Sequence, residues 1–127
     1  MSNSTTARSK AMCAFCVLAF PAVGMTAEIY RRLPDAEIRA TVTNMEISEA
    51  HFSEQYMADG TVRIVDLGSR VLGTWKVKAG QICIEAHKAE YSRCKEIWIS
   101  GKKYQLRFPG DPVPFDVEIQ SMQPRGW

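Results

Sequence analysis

Histidine is nearly absent from this chain: its 127 residues hold two, His51 and His87. The usual general base and the commonest metal ligand are therefore scarce. No G-x-S-x-G elbow, HExxH pair, P-loop or GxGxxG fingerprint is present. The serines fall in turns and tails. Asp111 and Asp116 could pair as carboxylates for acid–base work, but separate loop and strand positions account for them more simply. The residues thus point away from an enzyme. A surplus of charge is also missing. The formal charge is +2, and Arg8 and Lys10 lie in an apparent leader; of 16 basic residues 14 then remain, against 14 acidic ones. A neutral domain lacks the electrostatic footprint of a nucleic-acid or anionic-membrane binder. There is no internal repeat and no low-complexity segment. No apolar run reaches the roughly 20 residues that a membrane span needs.

What is present begins with that leader. Residues 1–10 are polar, with Arg8 and Lys10 as their only charges, and residues 11–24 (AMCAFCVLAFPAVG) are uncharged and apolar. This is the layout of a secretory signal. Small residues at Ala22 and Gly24 predict cleavage after Gly24; cleavage after Ala27 is the second choice, because it sets Met25 at the −3 position. Cys13 and Cys16 form a CxxC, read here as small apolar residues of the discarded segment. Nothing like a lipobox precedes either one. An uncleaved leader serving as an anchor is the alternative.

After a short polar connector over residues 28–33, Pro34 suits the first position of a helix, and Asp35 and Glu37 suit its first turn. A helix is expected over residues 34–42, with Asn44 as its stop. Strands follow at short intervals, starting at Met45. Asp59-Gly60 is the strongest hairpin signal, expected as a type I′ turn. Residues 61–65 return the chain. Residues 71–77 alternate strictly, with Trp75 facing in and Lys76 and Lys78 facing out. Gly73 within that strand marks a bend or a close backbone approach. Ala79-Gly80 turns into residues 81–86, where Ile82 and Ile84 share one face and Cys83 and Glu85 the other. Strands at 94–99, 103–108 and 115–120 complete the series. Residues 121–127 show no usable pattern. The expected fold is mainly β (α+β): an antiparallel meander or small open barrel with one short N-terminal helix, forming a single domain over residues 25–127. Trp75 and Trp98 are expected in its core.

Cys83 and Cys94 are the cysteines that remain after cleavage, and an even count in an exported chain of this size predicts a disulfide. Their spacing is not that of a redox CxxC. With His87 they would make only three metal ligands, so neither a metal nor a cofactor is expected. The loop that the bridge would close carries the candidate binding residues His87, Lys88, Glu90, Tyr91 and Arg93. A loop tied at its base is pre-organised, which lowers the entropic cost of docking a partner.

The segments GTWKV, QICIE, SRCKEIW and SGKKYQL, preceded by Asp59-Gly60-Thr61, resemble small exported proteobacterial β-domain proteins of unassigned function with a GTWxV…C…C…GxxYxL pattern. The resemblance runs from about Met57 to Leu106. It implies an exported β-rich domain and supplies no activity. A Gly-x-Trp also opens the first strand of lipocalins, but here it is central, and the mature chain is short for eight strands. The expected function is that of a non-enzymatic periplasmic or secreted module binding a protein or small ligand in the cell envelope. The alternatives are a structural or accessory envelope protein without a ligand and, less favoured, a small hydrolase.

Overall fold

The structure is a computed structural model that describes residues 28–127. The signal expected over residues 1–24, both cleavage positions and the Cys13–Cys16 pair lie outside the described residues. Within them the chain forms β1 (Arg31–Arg32), α1 (Asp35–Val42), β2 (Met45–Glu49), β3 (Phe52–Tyr56), β4 (Thr61–Asp66), β5 (Ser69–Lys78), β6 (Gln81–Ala86), β7 (Arg93–Ser100), β8 (Lys103–Arg107) and β9 (Phe115–Ser121). One turn of 3-10 helix, Ala89–Tyr91, lies between β6 and β7.

Each strand from β2 onward pairs antiparallel with the next, and β9 returns to pair with β2. The meander expected from the alternation is therefore present. It closes into an eight-stranded barrel, which the chain length had argued against. Short connections make this possible: Leu67-Gly68 and Ala79-Gly80 are two-residue turns with positive φ at both positions, as type I′ geometry requires. The Asp59-Gly60 hairpin forms with a different turn. Of its two residues only Gly60 has positive φ, and the four-residue loop is closed by the Gly60 N–H on the Met57 carbonyl. Asn44 takes a left-handed conformation (φ 59°) just past the helix, where a polar residue tolerates it and stops the helix.

The period of two determines what fills the barrel. Ile47, Tyr56, Val62, Ile64, Val77, Ile82, Ile97 and Leu106 are buried inside it. α1 closes one end with the buried side chains of Ile38 and Val42. The helix is fixed there from both ends. Asp35 accepts the Gly80 N–H at 2.5 Å and Arg39 donates to the Val77 carbonyl at 3.1 Å. The connector before α1 is more than a linker, because β1 pairs with β7 and Leu33 is buried. Gly73 is a close approach: a Cβ there would stand 2.6 Å from the Glu85 carbonyl oxygen. Trp75 packs edge-on against Tyr56, and its indole N–H donates to the Met57 carbonyl. Trp98 is not part of the core. It lies half-buried on the outer face, 3.9 Å below the Arg107 guanidinium, with its N–H on Glu96. The alternation is intact: Lys95 and Ile97 face inward, and Trp98 takes the outward phase together with Glu96.

Residues 122–127 run back over the outside of the barrel. Arg125 forms two 2.9 Å hydrogen bonds with Glu46, a fully buried outward-facing carboxylate on β2. Gln55 donates to Glu46 and to the Gln123 carbonyl. The Trp127 ring lies under the guanidinium groups of Arg63 and Arg70.

Candidate functional site at the open end of the barrel

The end opposite α1 is open. There the ends of β2, β4, β6 and β8 meet the starts of β3, β5, β7 and β9. Cys83 and Cys94 are directly opposed on β6 and β7 and form a disulfide. These two strands share only three residue pairs, Ile82 to Ile84 with Arg93 to Lys95. The bridge thus clamps a short seam, and the loop it closes rises beside the opening.

A cavity of 180 Å³ occupies this mouth. Its walls include the rings of Phe52, Tyr91, Phe108 and Phe115, together with Glu49, Asp66 and Arg93. Lys95 forms part of its floor and is 1 % exposed; its ammonium pairs with Glu54, 2 % exposed. β7 and β3 lie on opposite sides of the eight-stranded ring, so the pair crosses the lumen as a bar beneath the mouth. Burial pushes the Lys95 ammonium pKa down, and the Glu54 carboxylate only partly offsets this. The buried Tyr56 hydroxyl has no hydrogen-bond partner among the described residues. Burial, reinforced by Glu54, pushes its pKa well up.

The five loop residues proposed from sequence divide into two groups. Tyr91 and Arg93 reach the mouth. The Tyr91 hydroxyl donates to Asp66 on β4 at 2.8 Å, which carries the loop across the top of β5. That hydrogen bond raises the Tyr91 pKa. The Arg93 guanidinium lies 4.3 Å from the centre of the Phe108 ring. His87, Lys88 and Glu90 are exposed and do not line the cavity. His51 is exposed in the β2–β3 turn, and Asp111 and Asp116 serve separate local contacts, with the Val113 N–H and the Gln105 amide.

Sequence reasoning missed Glu49, Phe52, Glu54, Lys95, Phe108 and Phe115 as one site. A signal for it existed. Phe52, Glu54 and Tyr56 share one face of β3, and Lys95, Ile97 and Ile99 one face of β7. Each set places a charge on an otherwise apolar face, with opposite signs on the two strands.

Larger depressions lie elsewhere, including one of 570 Å³ along the outside of β8 and β9. That groove is lined by exposed charged side chains such as Lys102 and Glu118. The mouth is smaller, but its floor is a fully buried charged pair and its walls combine four aromatic rings with a few charged groups, the composition expected of a recognition pocket. Among the described residues no cluster of three or more His, Cys, Asp or Glu is placed to hold a metal ion, and no helix is long and apolar enough to cross a membrane. No family model matches the chain, and neither a curated protein nor a solved structure gives a match.

Proposed function

We propose that this protein is a non-enzymatic binding module of the cell envelope, exported by residues 1–24, that holds its ligand in the barrel mouth. The observation that carries this reading is the convergence of Tyr91 and Arg93, from the disulfide-bounded loop, on a cavity walled by Phe52, Phe108 and Phe115. Strands carry Phe52, Arg93 and Phe115, Phe108 directly follows β8, and Tyr91 is fixed by Asp66. A pre-organised pocket that combines aromatic rings with a few charged groups suits capture. A disulfide between adjacent strands is compatible with an oxidising compartment, and the resemblance to exported β-domain proteins favours the same location.

Two measurements test the proposal. Mass spectrometry of the exported chain should show loss of residues 1–24 and of two hydrogens; an intact leader or free thiols would refute the location. Thermal-shift screening with small amines, carboxylic acids and amino acids should give stabilising compounds whose effect disappears in Tyr91→Ala and Arg93→Ala. Compounds that stabilise those variants as well as the parent would place binding elsewhere.

A further inference from the structure

The charges around the mouth narrow the ligand, on the assumption that the mouth is the binding site. Lys95 and Glu54 neutralise each other, so the floor presents no net charge. Three charged groups remain on the walls. Arg93 has no acidic partner among the described residues; it rests on the face of Phe108, which leaves its fork of donors free. Glu49 has no partner either, and Asp66 accepts one hydrogen bond, from a neutral hydroxyl. The two acids stand on β2 and β4, and Arg93 stands on β7, three strands away from each around the ring. One wall is therefore acidic and the facing wall basic, with phenyl rings between them.

A purely anionic ligand would face both carboxylates, and a purely cationic one would face Arg93. Arg93 and Glu49 are exposed and Asp66 is half-buried, so the discrimination comes from like-charge repulsion and from the charge-assisted contacts left unmade rather than from full desolvation. A dipolar ligand satisfies both walls. The cavity of 180 Å³ is of a size for a small molecule or a single side group. We propose that the mouth binds a free α-amino acid with an apolar side chain. Its carboxylate lies in the Arg93 fork, its ammonium faces Glu49 and Asp66, and its side chain lies among Phe52, Phe108 and Phe115. The wall charges sum to −1, so acidic amino acids are excluded.

The test is an NMR titration of the oxidised, leader-free protein with four probes: L-leucine, L-leucinamide, N-acetyl-L-leucine and isoamyl alcohol. Leucine should shift the mouth residues, and each blocked derivative should bind about tenfold more weakly or worse, as expected for loss of one charge-assisted contact. Arg93→Gln should abolish the preference for leucine over leucinamide. Glu49→Gln combined with Asp66→Asn should abolish the preference for leucine over N-acetylleucine. If all four probes bind the mouth equally, the amino-acid assignment is wrong and the mouth remains an apolar binding site. If none of them shifts Phe52 or Phe115, both the assignment and the mouth reading are wrong.

Discussion

Replacing Lys95 with methionine would leave the Glu54 carboxylate sealed in the lumen with no counter-ion. The two side chains are 1 % and 2 % exposed, and a methionine would fill the volume of the lysine stem, which leaves little room for water beside the carboxylate. Breaking one partner of a buried pair costs about 3–5 kcal/mol, a large part of the roughly 5–15 kcal/mol that holds a domain of this size. With a urea slope of about 1.5 kcal/mol per molar, the unfolding midpoint should fall by about 2–3 M. The deficit should also depend on pH. Burial without a counter-ion disfavours a charged carboxylate, so the deficit of Lys95→Met should be smaller in mild acid than at neutral pH. The double variant Lys95→Met with Glu54→Leu removes both charges and should recover parental stability or exceed it. Equilibrium urea unfolding at neutral and mildly acidic pH measures all three proteins. A Lys95→Met protein as stable as the parent at neutral pH would refute the argument. So would a double variant no more stable than the single one.

Other consequences can be measured with the same assay. The Cys83–Cys94 bridge spans a sequence separation of 11, so its loss in a Cys83→Ser, Cys94→Ser protein should cost about 3 kcal/mol by chain entropy; unchanged stability would show that the β6–β7 seam holds without it. At Glu46 burial pushes the carboxyl pKa up, but Arg125, Gln55 and Gln120 together outweigh it and leave the pKa lowered. Stability from this group is therefore full above the ordinary glutamate range and is lost as pH falls through the lowered value. Glu46→Gln should flatten the acid limb of the stability curve, and an unchanged acid limb would contradict this. Tyr56→Phe removes a buried hydroxyl that has no partner among the described residues, and should raise stability by about 1 kcal/mol; a loss would mean that the hydroxyl is bonded to Glu54 after all.

Much of this barrel was legible in the sequence. The strict alternation in residues 71–77 and the glycine turns around it fixed where strands begin and end, and the opposed positions of Cys83 and Cys94 follow from the same register. Closure was not legible. Nothing local to residues 115–120 says which edge that strand joins, because pairing with Met45 to Ser48 is a long-range choice made by the curvature of the whole sheet. The site was half visible for a related reason. Tyr91 and Arg93 lie next to the bridge in sequence, whereas Phe52, Lys95 and Phe115 come from strands that only barrel closure brings together. Trp98 and Trp75 look alike in sequence, but opposite phases of the alternation send one outward under Arg107 and the other inward against Tyr56. Residues 122–127 carry no periodicity, since their anchoring rests on the Arg125–Glu46 ion pair, the Gln55 hydrogen bond to the Gln123 carbonyl and the stacked Trp127 ring.

The closing contact between β9 and β2 joins Met45 to Ser121, while every other pairing among β2–β9 joins neighbours along the chain. Hairpins can form as soon as their residues are available, at little cost in loop closure. The last contact must wait for Phe115–Ser121, and until then β2 and β8 expose unpaired edges that can recruit other chains. Arg125 lands on Glu46 beside that seam, so the segment that follows β9 fastens what β9 has just closed. A chain shortened before Phe115 would keep every earlier hairpin and still associate through its open edges. The last strand and the segment after it thus set the moment at which the folding chain stops being adhesive.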